Sequence, residues 1–228
     1  MTSNMRNIRI ETIADMVKES MVVADIGTDH AFLPVLLVKN RICKKCYACD
    51  ISKGPLESAS SNIQAAGLTD QIPVILSDGL ENVPEDVNAI VIAGMGFQTA
   101  VHILENDVKR LKQFKQMIVE VNRDTISMRK WISNHHFTID DERYVRERNH
   151  DYICISFNPT YHAEYSEAEL VLGPVLLQKY DPDYIAYLKA RKTKLERIQE
   201  VSSGHMPHAS DINKEYEILV KALKKDED

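Results

Sequence analysis

Apolar segments alternate regularly with helical patterns along the first two thirds of the chain. The apolar runs predict strands at 21–26, 46–50, 72–77, 88–94 and 116–121. Helical spacing of apolar positions predicts helices at 7–19, 33–40, 53–66, 98–112 and 125–134. This alternation predicts a doubly wound parallel sheet with helices on both faces.

Two further strands are predicted at 137–145 and 150–157, on either side of a short polar turn. Too few residues separate them for a parallel crossover, so we expect an antiparallel hairpin. A parallel sheet that ends in an antiparallel pair is typical of class I methyltransferases, whereas nicotinamide-binding sheets usually stay parallel. The pattern predicts an α/β, Rossmann-like fold of the class I methyltransferase type with an antiparallel last strand.

The pattern changes after Pro159. Asp181-Pro182 is typical of a helix start, with an N-cap followed by proline in the first turn. Apolar positions at helical spacing follow, then a break at 202–208, then a second helix. We predict two domains, residues 1–160 and 161–228, the second built around an antiparallel helical hairpin.

Composition places the protein among ordinary globular chains. It has 228 residues, is 44% hydrophobic, and carries a net charge of −6. No stretch approaches the roughly 18 consecutive apolar residues that a membrane span needs, and the charged N-terminus lacks an apolar signal core. We therefore expect a cytoplasmic protein in which any nucleic-acid surface is a local basic patch.

Three of the four cysteines follow a spacing that occurs in metal sites, Cys43-x-x-Cys46-x-x-Cys49. Cys46 and Cys49 fall on a predicted strand, where residues three apart face opposite sides of the sheet. They could not share one ion, so we expect buried thiols and no metal.

The loop after the first strand, Asp25-Ile26-Gly27-Thr28-Asp29-His30, is the main candidate for ligand binding. Dinucleotide-binding loops use three spaced glycines to approach a diphosphate, and this loop has one. Its carboxylates would repel a diphosphate but suit the cationic groups of S-adenosylmethionine. The loop therefore favours S-adenosylmethionine over NAD.

Acidic residues also end the next two strands. Asp50 stands where an acid accepts hydrogen bonds from ribose hydroxyls, and Asp78 could accept one from an adenine amino group. Each aspartate alone could be a turn or cap residue. Three acids at successive strand ends favour a cofactor site. Gly94 and Gly96 after the fourth strand could let the backbone pass close to a ligand or merely make a tight turn.

These motifs resemble the bacterial tRNA (adenine(22)-N1)-methyltransferases. The family's Asp-x-Gly-Ser-Asp-His-Ala-Tyr-Leu-Pro matches Asp25 to Pro34, with Thr28 for Ser and Phe32 for Tyr. Further family motifs match at Gly54-Pro55, Asp78 to Leu80, Ile92 to Gly96 and Gly173-Pro174. The resemblance covers essentially the whole chain and implies a coiled-coil-like C-terminal helical domain. It implies methylation of N1 of adenine 22 in tRNA.

The chain departs from this family at four positions. Asp50 stands where the family usually has Glu, and Phe97 where it has Gly. Glu120-Val121 replaces Gln-Pro ahead of Asn122. Most of these changes lie on the side of the site where the substrate is expected.

Adenine N1 already has a lone pair, so positioning and exclusion of water should supply most of the acceleration. The product is cationic, and Asp29 is our candidate for stabilising the developing charge. The alternative for Asp29 is a cap on the following helix. Asn122 could orient the base or serve only in a turn, and His30 could contact the cofactor or only pack.

Arg9 occupies a position that the family also fills with arginine, and it could meet the cofactor carboxylate, an RNA phosphate or only solvent. The full set of predicted cofactor contacts is Arg9, Asp25, Gly27, Thr28, Asp29, His30, Asp50, Ile51, Asp78, Gly79, Ala93, Gly94 and Met95.

Basic residues cluster in the first helix after residue 181. This patch, which we expect to bind tRNA phosphates, consists of Lys189, Arg191, Lys192, Lys194 and Arg197. The alternative is a solvated helix face, in which case Lys39, Arg41, Lys44 and Lys45 would be the second candidate cluster. We expect the protein to be a monomer.

Other functions remain open at this stage. The fold could methylate another RNA, a small molecule or a protein, or it could bind the cofactor with weakened activity. An NAD-dependent oxidoreductase is disfavoured because the phosphate-binding glycines are missing.

Overall fold

The computed structural model describes residues 7–19, 21–201 and 209–224. They divide into two compact units, one ending at Glu164 and one beginning at Tyr165. The break predicted at 202–208 lies outside the described residues. Within the described part of the chain, no helix has the combined length and apolar character needed to cross a membrane.

The first unit alternates strands and helices as the sequence predicts. Its strands are β1 (Val22–Ile26), β2 (Lys45–Asp50), β3 (Val74–Leu76), β4 (Ala89–Met95), β5 (Gln116–Val121), β6 (Thr138–Glu147) and β7 (His150–Asn158). Its helices are α1 (Ile8–Met16), α2 (Phe32–Lys39), α3 (Lys53–Ala66), α4 (Phe97–Asn106), α5 (Val108–Leu111) and α6 (Thr125–Asn134).

The strands form one seven-stranded sheet in the order β3-β2-β1-β4-β5-β7-β6. β1 to β5 pair in parallel, whereas β7 runs antiparallel to both β5 and β6. The predicted class I methyltransferase fold, with its antiparallel closing hairpin, is confirmed. Successive strands are added to one side of β1 up to β3 and to its other side from β4 onward, so the topological switch point lies between β1 and β4. Ligands of doubly wound sheets bind at the carboxyl ends of the strands beside such a point.

Buried apolar side chains hold this sheet between its helices. One cluster joins Ile13 of α1, Val23 of β1, Leu37 of α2, Val91 of β4 and Ile118 of β5. β4 is buried from Ala89 to Ile92, as expected of a central parallel strand covered on both faces. This rigid centre fixes where the strand ends present their side chains.

The helix predicted at 98–112 is wrong as a single element, because it divides into α4 and α5 at Asp107. Asp107 has φ −128° and ψ 28°, outside the helical region. The Arg110 guanidinium donates to the Leu80 and Val83 carbonyls, which holds the separate turn of α5 against the loop before β4.

The second unit is helical and contains α7 (Glu167–Leu172), α8 (Leu176–Lys179), α9 (Pro182–Val201) and α10 (Ala209–Leu223). The start of α9 at Pro182 is confirmed, and the Asp181 side chain accepts a hydrogen bond from the Asp183 amide. The sequence analysis missed α7. Its signal is a capping box in which Ser166 and Glu169 each bond the other's backbone amide.

Candidate active site

The loop after β1 is held by backbone hydrogen bonds. The amides of Gly27 and Thr28 both donate to the Cys49 carbonyl on β2, at 2.8 and 3.0 Å. Gly27 has φ +76°, a backbone conformation that favours glycine, and a Cβ there would displace the end of the Met95 side chain. These backbone bonds fix the loop and leave the Asp29 side chain free of a structural role in it.

Asp25 is nearly buried below this loop. Its Oδ2 accepts a 2.7 Å hydrogen bond from the Thr28 hydroxyl. Burial raises the pKa of Asp25 to about 6; the Asp50 charge also raises it, while the Thr28 hydrogen bond and Arg9 lower it. The Asp25 carboxylate would gain from a cationic ligand close by.

Asp29 and His30 are exposed at the tip of the loop. Asp29 has φ +48°, and its side chain is 67% exposed. The N-cap of α2 is Ala31, which offers no side-chain hydrogen bond, so the structure gives no support to a capping role for Asp29. The His30 ring lies 5.4 Å from that of Phe32 and is not buried.

The end of β2 offers a second carboxylate and an apolar surface. Asp50 is 9% exposed, and its Oδ1 accepts a hydrogen bond from the Ser52 amide at 2.9 Å. Beside it, Ile51 is 63% and Leu76 is 48% exposed, so two large apolar side chains face solvent next to the acid. An acid flanked by exposed aliphatic groups fits a nucleoside, with a ribose on the acid and a base on the apolar surface.

Asp78 and Gly79 follow β3. Asp78 is exposed, and Gly79 adopts φ +54° with Ile103 packed closely where a Cβ would stand. The Ser77 hydroxyl accepts from the Asn82 amide and donates to the Gly79 carbonyl, which closes this turn. Asp25, Asp50 and Asp78 therefore stand at three successive strand ends along one edge of the sheet.

The end of β4 carries a bulge. The β4–β5 register skips one residue between Ala93 and Met95, so Gly94, with φ +76°, is the extra residue. Its amide donates to Glu120 Oε2 at 3.0 Å, and its carbonyl accepts from Asn122 Nδ2 at 3.1 Å. Both polar groups of the bulge are therefore held by side chains at the end of β5.

Arg9 reaches this bulge from α1. Its Nη1 donates to Glu120 Oε2 at 2.6 Å, and its guanidinium lies 5.3 Å from the centre of the Tyr152 ring. Arg9 and Asn122 are predicted site residues, whereas the pairing of Arg9 with Glu120 was not predicted from the sequence. No local motif could have shown this, because 111 positions separate the two residues.

The three cysteines of the spaced motif are buried. Burial raises the pKa of the Cys49 thiol to about 12, and a hydrogen bond with Cys46 lowers the pKa of Cys43. Over residues 7–19, 21–201 and 209–224, no three His, Cys, Asp or Glu side chains are grouped so that they could hold a metal ion.

In the second unit, the predicted basic patch is partly neutralised. Arg191 forms a two-point ion pair with Glu215 of α10, with bonds of 2.6 and 2.8 Å. Lys192 Nζ lies 3.4 Å from Glu196 one turn along α9. The remaining members of the patch, Lys189, Lys194 and Arg197, are exposed.

Comparison with known proteins identifies the family. The methyltransferase domain family matches residues 6–155. The tRNA (adenine(22)-N(1))-methyltransferase of Bacillus subtilis is 30% identical over 199 residues, which are 85% of this chain and 82% of that protein.

Two solved structures of similar proteins share the fold over almost the whole chain. TrmK of M. capricolum, solved with S-adenosyl-homocysteine, superposes with a TM-score of 0.83 at 30% identity, covering 97% of this chain and 99% of that one. A Streptococcus pneumoniae protein solved with S-adenosyl-L-methionine superposes with a TM-score of 0.85 at 28% identity, covering 96% of this chain and 100% of that one. The chain therefore belongs to the tRNA (adenine(22)-N1)-methyltransferase family.

Proposed function

We propose that this protein transfers the methyl group of S-adenosylmethionine to N1 of adenine 22 in tRNA. The observation that carries the proposal is the row of carboxylates at three strand ends, beside a one-glycine loop, in a chain of this family. S-adenosylmethionine supplies an electrophilic methyl group on a sulfonium. The protein's own residues must bind the two substrates, orient them and exclude water.

The residues at the ends of β1 to β3 fit the cofactor. Asp50 would accept hydrogen bonds from ribose hydroxyls, and the exposed Ile51 and Leu76 would contact the adenine. Asp78 would accept from the exocyclic amino group. The near-buried Asp25 provides negative potential for the cationic methionine end.

The transfer step requires the adenine N1 lone pair to face the methyl group in line. N1 is paired in a duplex, so the target base must leave its stack to enter the site. Asp29, exposed on the loop between the cofactor site and solvent, would stabilise the positive charge that develops on the ring. No side chain needs to remove a proton before the attack.

The exposed basic face of α9 supports tRNA binding. Lys189, Lys194 and Arg197 would contact phosphates, which gives affinity without base specificity. Arg191 and Lys192 are engaged with glutamates and fit this role less well. We further propose a monomer acting in the cytoplasm, where tRNA is found.

The test uses two transcripts of one tRNA that differ only at position 22, adenine in one and guanine in the other. The purified protein and methyl-labelled S-adenosylmethionine should give stoichiometric 1-methyladenosine in the first transcript and no label in the second. Label in a nucleoside other than 1-methyladenosine, or equal label in both transcripts, would reject the proposed substrate.

A further inference from the structure

The bulge at Gly94 is held by the carboxylate of Glu120, and the proposed reaction does not explain why a carboxylate stands there. Glu120 is fully buried, yet it carries a carboxylate at the end of a central strand. Buried carboxylates are expensive unless they are paired and hydrogen-bonded. Here the partners are the Arg9 guanidinium and the Gly94 amide, both on Oε2.

The second oxygen of this carboxylate is unusual. Glu120 Oε1 is buried and has no hydrogen-bond partner among the described residues. A buried carboxylate that only stabilises the fold normally accepts hydrogen bonds through both of its oxygens. Such a buried ion pair can often be replaced by apolar side chains with little loss of stability. This arrangement indicates that the contacts made through Oε2 are the ones that matter.

The Glu120–Gly94 bond sets the direction of one peptide plane. The chain has no cis peptide bonds among the described residues, so the carbonyl of Ala93 points opposite to the amide of Gly94. Since that amide points at Glu120, the Ala93 carbonyl is turned away from Glu120 and Arg9. Glu120 thereby fixes the orientation of a backbone acceptor at the end of β4.

The same contact acts on the next residue. Asn122 donates through its side chain to the Gly94 carbonyl and through its backbone amide to the Met95 carbonyl, at 3.1 and 3.0 Å. The side chain of Met95 in turn lies over Gly27 of the β1 loop. The bulge is thus connected to α1 on one side and to the predicted cofactor loop on the other.

We infer that Glu120 is a positioning residue for methyl transfer: together with Arg9 it locks the Gly94 bulge and so places the segment Ala93–Met95 beside the cofactor loop. This inference rests on the proposed function. Glu120 touches neither substrate, because it has no exposed surface. In the resembling family glutamine stands at this position, and a glutamine carbonyl could accept from the same amide.

The test compares Glu120→Met, which removes both acceptor oxygens at similar volume, with Glu120→Gln, which keeps one. The matched control is Glu142→Met, because Glu142 on β6 is the other fully buried glutamate described that pairs with an arginine, Arg129 of α6, at 2.7 Å. Two readouts are needed: hydrogen exchange of the Gly94 amide in the ligand-free protein, and the single-turnover rate at saturating tRNA and S-adenosylmethionine.

We expect Glu120→Met to speed exchange at Gly94 and to lower the single-turnover rate about tenfold or more, since small misplacements are costly in rate. Glu120→Gln should keep slow exchange and stay within about threefold of the parent rate. Glu142→Met should lower thermal stability and leave the rate of the folded protein unchanged.

A folded Glu120→Met variant with the parent rate would overturn the inference. So would a Glu120→Gln variant as slow as Glu120→Met, because the acceptor would then be irrelevant. If Glu120→Met does not fold, the test falls to Glu120→Gln. The inference is then overturned if the Gly94 amide of Glu120→Gln exchanges fast while methyl transfer keeps the parent rate. A parent protein without transfer activity would reject the proposed function, while the exchange data would still test the bond.

Discussion

The two halves of the strand edge, formed by the ends of β1 to β3 and by the ends of β4 and β5, are held by different groups. At β1 and β2 the Cys49 carbonyl holds the loop, Asp25 and Asp50 each accept one local hydrogen bond, and Asp29 stays exposed. At β4 and β5 the side chains hold the backbone, through Glu120 and Asn122 on Gly94. We therefore expect the first half to supply most of the polar contacts to the cofactor, and the second half to fix the backbone beside it.

The largest expected effect is on the first half. Asp50→Ala should weaken S-adenosylmethionine binding by at least about 100-fold, because two ribose hydroxyls each lose a charged acceptor worth about 1.5–3 kcal/mol. Isothermal titration calorimetry measures this directly. Asp70→Ala, an exposed aspartate in the α3–β3 loop, is the control and should bind like the parent. Unchanged affinity in a folded Asp50→Ala variant would remove Asp50 from the site.

In the second half, we expect substitutions to lower the free energy of unfolding. Arg9→Ala leaves the Glu120 carboxylate buried without its cationic partner, which should cost about 3 kcal/mol of unfolding free energy. Urea denaturation of Arg9→Ala, Glu120→Gln and the double variant separates the pair from its members. If Arg9→Ala costs the same unfolding free energy in the parent as in the Glu120→Gln variant, the ion pair does not contribute.

A third test uses pH on the first half. The folded pKa of Asp25 is about 6, above its unfolded value, so the folded protein binds this proton more tightly. The resulting stabilisation is complete below about pH 4 and is lost as pH rises through 6, a change of about 3 kcal/mol.

Asp25→Asn cannot lose this proton and can still accept the Thr28 hydrogen bond. Its unfolding free energy relative to the parent should therefore improve by up to about 3 kcal/mol between pH 4 and pH 7. Urea denaturation across that range is the measurement. Parallel stability curves for the two proteins would show that Asp25 is not titrating there.

The smallest effect is expected in the second unit, outside this comparison of strand ends. Replacing Lys189, Lys194 and Arg197 with alanine should raise the tRNA Michaelis constant and reduce the log–log salt slope of binding by about 2 to 3, one contact each. Two single substitutions on the same helix form a matched pair. Lys194→Ala should weaken tRNA binding more than Lys192→Ala, because Lys192 already lies beside Glu196. If neither Lys194→Ala nor the triple variant changes the affinity for tRNA or its salt slope, the basic face binds no phosphate.

The sequence predicts the sheet well because β1, β2, β4 and β5 are runs of buried residues bounded by polar turns. It also predicts the acidic strand ends, since a parallel sheet brings successive carboxyl ends to one edge. What it could not show are contacts made across the fold. The pairing of Arg9 with Glu120 depends on how α1 lies on the sheet, and that of Arg191 with Glu215 on how α9 meets α10.

The central claim is that the side chains at the ends of β4 and β5 set the transfer rate more than they set the affinity for the cofactor. Asn122→Ala tests it most directly, because it removes the side-chain bond to the Gly94 carbonyl and changes no residue of β1 to β3 or of the loops that follow them. One preparation should be titrated with S-adenosylmethionine and then used for single-turnover transfer to tRNA. We predict a dissociation constant within about threefold of the parent and a transfer rate lower by about tenfold or more. A loss of cofactor affinity as large as the loss of rate would contradict the division between the two halves.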